Sequence, residues 1–308
     1  MQSTDSILLI KPSCFQFNTE TESSNLFQEQ LLESKEGIMQ KAIEEFNQLA
    51  QLLEHNGIDV TIIEDSKEPQ KPDAVFPNNW ISFHDNGKII LYPMLAENRR
   101  VERRQEIIEQ LSQKFIINQT IDFSYYEQES KFLEGTGSVI LDRKNKKAYA
   151  CLSPRTNREL LFKLCEELDY LPIFFYSFDE GGNEIYHTNV MMCLGTHFAV
   201  VCLSSIQNEK DKKDLIYEIE KSNKEIIDID FNQVKCFAGN MLELKNKKGN
   251  SIIVLSQSAY SSLNQNQISR LQKHGKLLPL LVNTIEKIGG GSVRCMIAEI
   301  FLPKKLTN

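Results

Sequence analysis

Short apolar runs alternate with amphipathic segments along this chain. Over residues 36–55 apolar side chains recur at helical spacing, and the segment stops at Asn56 and Gly57, a pair typical of a helix end. Similar spacing predicts four more helical regions, near residues 98–114, 155–168, 206–222 and 264–287. The predicted helices are therefore spread over the whole chain.

The stretches between these regions are short and strand-like. They include SILLI, VTIIE, KIILYP, SVILD, KAYACL, FAVVCL and SIIVL. Strands that alternate with helices are typical of an α/β protein. Because no low-complexity linker and no shift in composition divides the chain, we expect a single domain over residues 1–308.

A weak internal repeat emerges when NNWISF, GTGSVIL, HTNVMMCL, AGNMLEL and SVRCMIAEI are aligned. Each segment places a small or amide residue just before an apolar strand. The equivalent positions are Asn79, Gly137, Asn189, Asn240 and Arg294, at steps of 58, 52, 51 and 54 residues. Five strand–helix units at a nearly fixed period predict a closed ring with pseudo-fivefold symmetry, in which the repeated strands line a central channel.

The repeat brings together polar residues that are far apart in sequence. Asp73, Glu134, His187, Asn240 and Cys295 lie at or just before the repeated strand, at separations of 61, 53, 53 and 55 residues. A ring would aim all five side chains at one axis. We therefore expect the functional site at the channel.

Charge and cysteine content narrow the class of protein. With 42 acidic and 35 basic residues the net charge is -7, which argues against nucleic acid or an anionic membrane as a partner. The seven cysteines are spread singly, as in a protein with reduced thiols. The start of the sequence lacks the features of a signal peptide, and no apolar run is long enough to span a bilayer. We expect a cytoplasmic location.

Cys295 follows three glycines in KIGGGSVRCM, and cysteine catalysis needs a thiolate together with a group that carries protons. We expect the adjacent Arg294 and His187 across the ring to activate the thiol, and Glu134 in FLEGTGS to add a carboxylate. Taken singly, Cys295 is better explained as a buried, inert cysteine. The convergence predicted by the repeat is what favours catalysis.

Metal and cofactor chemistry find little support in the sequence. In HTNVMMCLGTH, His187, Cys193 and His197 match no common zinc spacing. GGGSVR lacks the GK[ST] of a phosphate loop, and no GxGxxG follows a strand. We predict that the protein uses no metal and no organic cofactor.

Together these motifs resemble the guanidino-group-modifying, or pentein, superfamily, which includes arginine deiminases, dimethylarginine dimethylaminohydrolases and amidinotransferases. The resemblance spans nearly the whole chain. It is strongest to the citrulline-utilization hydrolase branch, through PxxFxFN-like CFQFN, PDAVFPNNW, LEGTGS, CLSPRTN, YHTNVMM and GNMLEL. It implies a five-bladed α/β propeller and a Cys-His-Glu site formed by Cys295, His187 and Glu134.

The resemblance also implies residues that bind an amino-acid substrate. Asp73 in PDAVFPNNW matches an aspartate that contacts the amino-acid end of the substrate, and Arg155 in SPRTN matches an arginine that grips the α-carboxylate. Either Arg99 or Arg100 is expected to do likewise, with Arg100 as our first choice. An arginine fork suits the two oxygens of a carboxylate.

Two departures from the family pattern bear on the substrate. Guanidino-binding members usually have an aspartate where this chain has Asn79, and deiminases have HxD where it has His187-Thr188-Asn189. A guanidinium is a permanent cation that only donates hydrogen bonds, so it favours carboxylates. An asparagine is neutral, and its NH2 group can donate to a carbonyl oxygen. The two asparagines therefore favour a neutral ureido group.

The sequence thus predicts a cysteine hydrolase that converts citrulline to ornithine, ammonia and carbon dioxide, with a small amino acid as its only predicted partner. One alternative is an arginine deiminase, an arginine dihydrolase or an amidinotransferase. Another is a non-enzymatic binding module, since the same propeller serves proteins that bind ribosomes. Whether the chain forms a homo-oligomer is left open.

Overall fold

The computed structural model describes residues 1–30 and 33–305, and within them the strands form five small sheets of three strands each. The strands are β1 (Ser6–Lys11), β2 (Asp59–Glu64), β3 (Ile81–Phe83), β4 (Lys88–Leu91), β5 (Gln119–Asp122), β6 (Ile140–Asp142), β7 (Lys147–Cys151), β8 (Leu171–Phe175), β9 (Met192–Leu194), β10 (Phe198–Val201), β11 (Glu225–Asp228), β12 (Leu242–Lys245), β13 (Ser251–Ser256), β14 (Lys276–Leu280) and β15 (Ala298–Glu299).

All five sheets have the same internal pattern. Their orders are β15-β1-β2, β3-β4-β5, β6-β7-β8, β9-β10-β11 and β12-β13-β14. In each, the middle strand pairs antiparallel with the first strand and parallel with the third. The first sheet joins the two ends of the chain, because Ile7 pairs with Glu299 and Leu8 with Ala298. The fivefold repeat predicted from the sequence is thus present.

The helices are α1 (Lys35–His55), α2 (Glu97–Arg100), α3 (Gln105–Lys114), α4 (Gly135–Ser138), α5 (Arg158–Leu168), α6 (Thr188–Met191), α7 (Glu209–Glu220), α8 (Phe231–Lys235), α9 (Gln257–Ser262), α10 (Gln265–Gln272) and α11 (Asn283–Gly289). Those that lie between the middle and third strands of a sheet make the crossovers that the parallel pairs require. Among the described residues, no helix is both long and apolar enough to cross a membrane.

Helix α1 shows how local sequence sets an element. Its first turn is capped by the Ser34 side chain, which accepts a hydrogen bond from the Gly37 amide. Its inward face buries Ile38, Phe46 and Leu53 at helical spacing. The chain leaves the helix through Gly57, whose φ of +86° suits a residue without a Cβ.

One predicted helix is wrong. Residues 264–287 contain α10, then the strand β14, and only then α11. Gly275 separates α10 from β14, and a Cβ there would lie 2.9 Å from the Ser251 carbonyl oxygen of the neighbouring strand. Strand β14 then pairs with β13, which satisfies its backbone better than a continued helix interrupted by Pro279.

The region near 98–114 is also interrupted, because α2 ends at Arg100 and α3 begins at Gln105. In the break the buried Glu102 pairs with Arg99 at 2.8 Å. The third strands β5, β8, β11 and β14 were not predicted. Most of their residues are exposed or half-buried; β5 and β11 have at most two consecutive apolar residues, and the apolar strands β8 and β14 each contain a proline, which is unfavourable within a strand.

The residues just before the first strand of each sheet form what we call the entrance turns: residues 77–80, 135–139, 188–191, 237–241 and 292–297. They contain the five equivalent positions of the repeat. Hydrogen bonds join each turn to the next: Thr136 Oγ1 to Asn78 O (3.4 Å), Thr188 Oγ1 to Ser138 O (2.6 Å), Asn240 Nδ2 to Asn189 O (2.9 Å), and Arg294 N to Asn240 Oδ1 (3.0 Å). This arrangement brings the predicted site residues together.

Gly135 offers a test of how tightly the entrance turns pack. It has φ +49°, and a Cβ there would overlap the Asn78 carbonyl oxygen. Gly249 has φ +81°, and a Cβ there would meet no atom within 4 Å, so it isolates the backbone effect. We expect Gly249→Ala to lower the free energy of unfolding by about 1–2 kcal/mol, and Gly135→Ala to lose roughly 1–3 kcal/mol more through overlap. Equal losses in urea denaturation would show that the turns tolerate the extra atom.

Candidate active site

The glycines before Cys295 allow close packing of the loop that carries the thiol. Helix α11 ends at Gly289 and is followed by its C-cap residue, Gly290, which has φ +62°. A Cβ on Gly289 or Gly291 would lie 2.8 or 3.0 Å from the ring of Phe76, which packs against the loop. Cys295 then lies in the last entrance turn, where its amide donates to the Ser292 carbonyl at 2.9 Å.

Two amides contact the Cys295 sulfur. The Nδ2 atoms of Asn189 and Asn240 each lie 3.3 Å from Sγ. The Arg294 guanidinium, which we expected to activate the thiol, instead donates to the Ile297 carbonyl at 3.0 Å and to Glu299 at 3.2 Å. The hydrogen bonds to the sulfur therefore come from neutral donors.

His187 is held by Glu134. Its Nε2 lies 2.8 Å from Glu134 Oε2, and the other carboxylate oxygen accepts the Leu95 amide at 3.0 Å. Arg155 lies 3.5 Å from Oε2. Both oxygens of Glu134 are thus occupied within the protein, so this carboxylate is placed to orient His187 rather than to contact a substrate.

Burial and the neighbouring charges determine the protonation states of Glu134 and His187. Burial by itself raises the pKa of Glu134, but the Arg155 guanidinium and His187 outweigh it and hold that pKa well below its usual range. Burial lowers the pKa of His187, and Glu134 offsets only part of that effect. Near neutral pH the pair is therefore a carboxylate and a neutral imidazole. Because Glu134 only accepts, the proton lies on Nε2 and Nδ1 carries the lone pair.

A small cavity, about 20 Å³ in volume, lies between these groups. It is lined by Asn25, Asp73, Phe76, Asn79, Arg99, Arg155, Tyr186, His187, the three glycines 289–291, and Cys295. A space of this size holds about one water molecule. An amino acid can enter only when part of the wall moves.

The wall on one side is the segment 18–29. Asn18 donates to Asp73 at 2.7 Å, Ser24 Oγ lies 2.5 Å from Arg155, and Asn25 donates to the Gly289 carbonyl at 3.2 Å. The sequence left open which residues cover the site, and this segment does so through polar contacts. Phe15 of the CFQFN motif belongs to the core instead.

Arg99, not Arg100, lies at the cavity. Its guanidinium pairs with Glu102 at 2.8 Å and lies 3.7 Å from Asp73. Arg100 donates to the Met94 carbonyl at 3.1 Å and is partly exposed to solvent. The position that we expected first for Arg100 is therefore held by Arg99.

The two asparagines present unpaired polar atoms. Arg99 Nη1 donates to Asn79 Oδ1 at 3.1 Å, and since arginine only donates, this contact leaves Asn79 Nδ2 as the free donor. Asn189 uses Nδ2 for Cys295 and leaves Oδ1 without a partner. Asn79 Nδ2 and His187 Nδ1 both lie against Gly137, where a Cβ would come within 2.8 Å of Nδ1.

Asp73 and Arg155 also have unpaired buried atoms, Oδ1 and Nε. Burial raises the pKa of Asp73, and the Arg99 guanidinium and the Asn18 hydrogen bond offset part of the increase. The Arg155 guanidinium lies over the Tyr186 ring, 5.0 Å from its centre. Buried polar atoms without partners are uncommon in folded proteins, and at a cavity they indicate groups that await a ligand.

Within residues 1–30 and 33–305, no group of three or more His, Cys, Asp or Glu side chains is placed to hold a metal ion.

Sequence reasoning missed the roles of Tyr186 and Asn18 at the cavity, because no spacing distinguishes them from core or loop residues. It found the position of Asn240 through the repeat but assigned it no contact.

A family model described as N,N dimethylarginine dimethylhydrolase, eukaryotic, matches residues 11–302. No curated protein matches the chain significantly. The fold is similar to that of solved enzymes. The N-terminal domain of ArgZ, an arginine dihydrolase from the ornithine-ammonia cycle in cyanobacteria, was solved with substrate bound to a cysteine-to-serine mutant. It has a TM-score of 0.73 and 17% identity, with 97% of this chain and 98% of that domain covered.

Unliganded AgrE has a TM-score of 0.73 and 18% identity, with 98% of this chain and 40% of that one covered. A dimethylarginine dimethylaminohydrolase adduct with S-methyl-L-thiocitrulline has a TM-score of 0.66 and 17% identity, with 97% and 100% covered. The chain spans about two fifths of full-length ArgZ and AgrE. The expected five-bladed pentein fold is confirmed.

Replacing Glu134 by glutamine should disturb His187. The carboxylate raises the pKa of His187, so Glu134→Gln should lower that pKa further and reduce turnover about tenfold to a hundredfold as the ring loses its orientation. NMR titration of labelled histidine rings measures the first effect without any substrate. The control is Glu225→Gln, which removes the matching carboxylate 2.8 Å from His274. A His187 titration that responds equally to both variants would contradict the assigned pairing.

Proposed function

Because the chain belongs to the N,N dimethylarginine dimethylhydrolase family, we propose that it is a cysteine hydrolase of the ureido group of citrulline. The products are ornithine, ammonia and carbon dioxide. Family members act on guanidino carbon–nitrogen bonds, and a guanidinium is a cation. The substrate proposed here differs in charge, because its ureido group is neutral. In this proposal Cys295 is the nucleophile, His187 transfers protons and Glu134 orients His187.

The observation that carries the proposal is the unpaired amide donor of Asn79, which lines the same cavity as Cys295. Asn79 Nδ2 is a donor that matches the carbonyl oxygen of a urea. A guanidinium has no acceptor for the Asn79 donor. The fixed contact between Arg99 and Asn79 supports this choice, because it prevents the amide from turning over.

Charge in the cavity supports the same substrate. Among the described residues that line it, Asp73 is the single carboxylate, and it already accepts from Asn18 and lies 3.7 Å from Arg99. Burying a guanidinium without a free counter-charge costs several kcal/mol, on the order of the desolvation of one ion. A neutral ureido group avoids that cost.

The proposed reaction proceeds in two steps. The Cys295 thiolate attacks the ureido carbon while Asn79 holds its oxygen, which becomes negative as the bond forms. His187, oriented by Glu134, takes up the proton of the Cys295 thiol at Nδ1 as the thiolate forms, and it then passes this proton to the departing amine. The ring then takes a proton from water, which attacks the carbamoyl carbon and releases the thiolate. The carbamic acid that leaves breaks down to ammonia and carbon dioxide.

The amino-acid end of citrulline also has matching groups among the residues that line the cavity. The free Nε of Arg155 suits the α-carboxylate, and the free Oδ1 of Asp73 suits the α-ammonium. In this structure the Arg155 guanidinium donates a hydrogen bond to Ser24 Oγ. On this proposal, substrate binding replaces that hydroxyl by the α-carboxylate.

Incubation with L-citrulline and with L-arginine, followed by amino-acid analysis, tests the reaction. We expect ornithine from citrulline and no product from arginine. Cys295→Ala should reduce turnover to background with the fold intact, whereas Cys236→Ala, at a half-buried free cysteine, should remain active. Activity of Cys295→Ala would exclude the mechanism, and citrulline formed from arginine would identify a deiminase.

The role of Asn79 in substrate selection can be tested by changing the charge of its side chain. Asn79→Asp keeps an acceptor for Arg99 but replaces the free donor by an anion. We expect kcat/KM for citrulline to fall at least about 10²-fold, and the ratio for arginine over citrulline to rise. Asn79→Ala removes the donor without adding charge, so it should lower turnover without raising that ratio. If both variants give the same ratio, charge at residue 79 does not select the substrate.

A further inference from the structure

Asn240 has no role in the proposed mechanism, yet its side chain contacts the reacting sulfur. We propose that Asn240 is a second amide donor to the Cys295 thiolate, acting together with Asn189. The inference rests on the proposed function only in taking Cys295 as the nucleophile. It does not depend on which amino acid is the substrate.

Hydrogen-bond partners fix the orientation of the Asn240 side-chain amide. The Arg294 backbone N–H donates to Oδ1 at 3.0 Å, and a backbone amide cannot accept. The opposite atom must therefore be Nδ2, which donates to the Asn189 carbonyl at 2.9 Å and lies 3.3 Å from Cys295 Sγ. The side chain is 1% exposed, so no solvent competes for these contacts.

A neutral thiol has one competing contact in this geometry. Its S–H can donate to Asn240 Oδ1, but at 3.7 Å, and that oxygen already accepts the Arg294 amide. The Nδ2 contact is shorter by 0.4 Å, taken as the difference between 3.7 and 3.3 Å. The Asn240 side chain therefore favours the thiolate over the thiol.

The fold supplies both donors in the same way. Asn189 and Asn240 are equivalent positions of the repeat, 51 residues apart, in the entrance turns of adjacent sheets. Each places Nδ2 3.3 Å from the sulfur. Neutral amides can stabilise a buried anion without a cation that would itself need a partner.

The two donors act twice in one turnover. Before attack they hold the negative sulfur in place. When the sulfur–carbon bond forms and the carbon–nitrogen bond breaks, the sulfur becomes a neutral thioester. When water attacks and the sulfur–carbon bond breaks, the electron pair returns to sulfur, and the amides stabilise the leaving thiolate. Asn240 should therefore matter for both steps.

The test follows alkylation of Cys295 by iodoacetamide as a function of pH, read at the Cys295 peptide by mass spectrometry with no amino acid present. Asn240→Asp keeps the acceptor for Arg294 and replaces the donor by an anion. We expect the pH midpoint of alkylation to rise by about one unit or more, a roughly tenfold slower reaction below the midpoint. Asn240→Ala, a second variant if the first fails to fold, should shift it in the same direction.

Thr4→Val is the matched control, because it removes a buried hydrogen bond of 2.8 Å, from Thr4 Oγ1 to the Ile300 carbonyl, that lies outside the entrance turns and does not involve the Cys295 sulfur. It should lower the unfolding temperature and leave the alkylation midpoint unchanged. The groups that line the cavity beside Cys295, namely Asp73, Arg99, Arg155 and His187, are unchanged in every variant.

A midpoint in folded Asn240→Asp and Asn240→Ala equal to that of the unaltered protein would overturn the inference and leave Cys295 as the nucleophile. A midpoint shift of the same size in Thr4→Val would also overturn it, because the effect would then be structural. If Cys295 of the unaltered protein reacts no faster than Cys236, the proposed function fails, and the inference fails with it.

Discussion

The inner ends of the five sheets are joined by hydrogen bonds between entrance turns, and the position of every reactive group depends on these bonds. The Thr188 hydroxyl donates to the Ser138 carbonyl, and the Asn240 side-chain amide donates to the Asn189 carbonyl. Each bond links a turn to the turn of the preceding sheet. Since the site residues lie within or beside these turns, a change in the spacing of one sheet would displace them all.

The energetics of buried charge shape the site around this frame. The cations Arg99 and Arg155 each have a carboxylate within 4 Å, Glu102 in one case and Glu134 in the other. Glu134 in turn fixes the tautomer of His187 through the contact with Nε2. Around the sulfur the donors are neutral amides. The charged network thus holds the groups in place, while the hydrogen bonds to the sulfur come from uncharged donors.

Much of the fold was predictable because its repeating unit has a clear pattern. The middle strands are apolar on both faces, and α1 has a buried face at helical spacing between two capping signals, so periodicity identified them. The third strands other than β2 were missed because β5 and β11 have few apolar residues, and β8 and β14 each contain a proline. Residues 264–287 were misread as a helix because β14 contains leucines and lysine rather than β-branched residues, and only pairing with β13 makes it a strand.

The sequence by itself determined the fivefold repeat, and with it the convergence of Glu134, His187 and Cys295, because a fixed period in a chain of repeating units specifies which residues share an axis. Only the tertiary structure decided that Arg99 rather than Arg100 faces the cavity, since adjacent residues on a short helix point in different directions. It alone decided which amide atoms of Asn79, Asn189 and Asn240 are free or bound. That choice depends on partners from other sheets, which no local pattern in the sequence specifies.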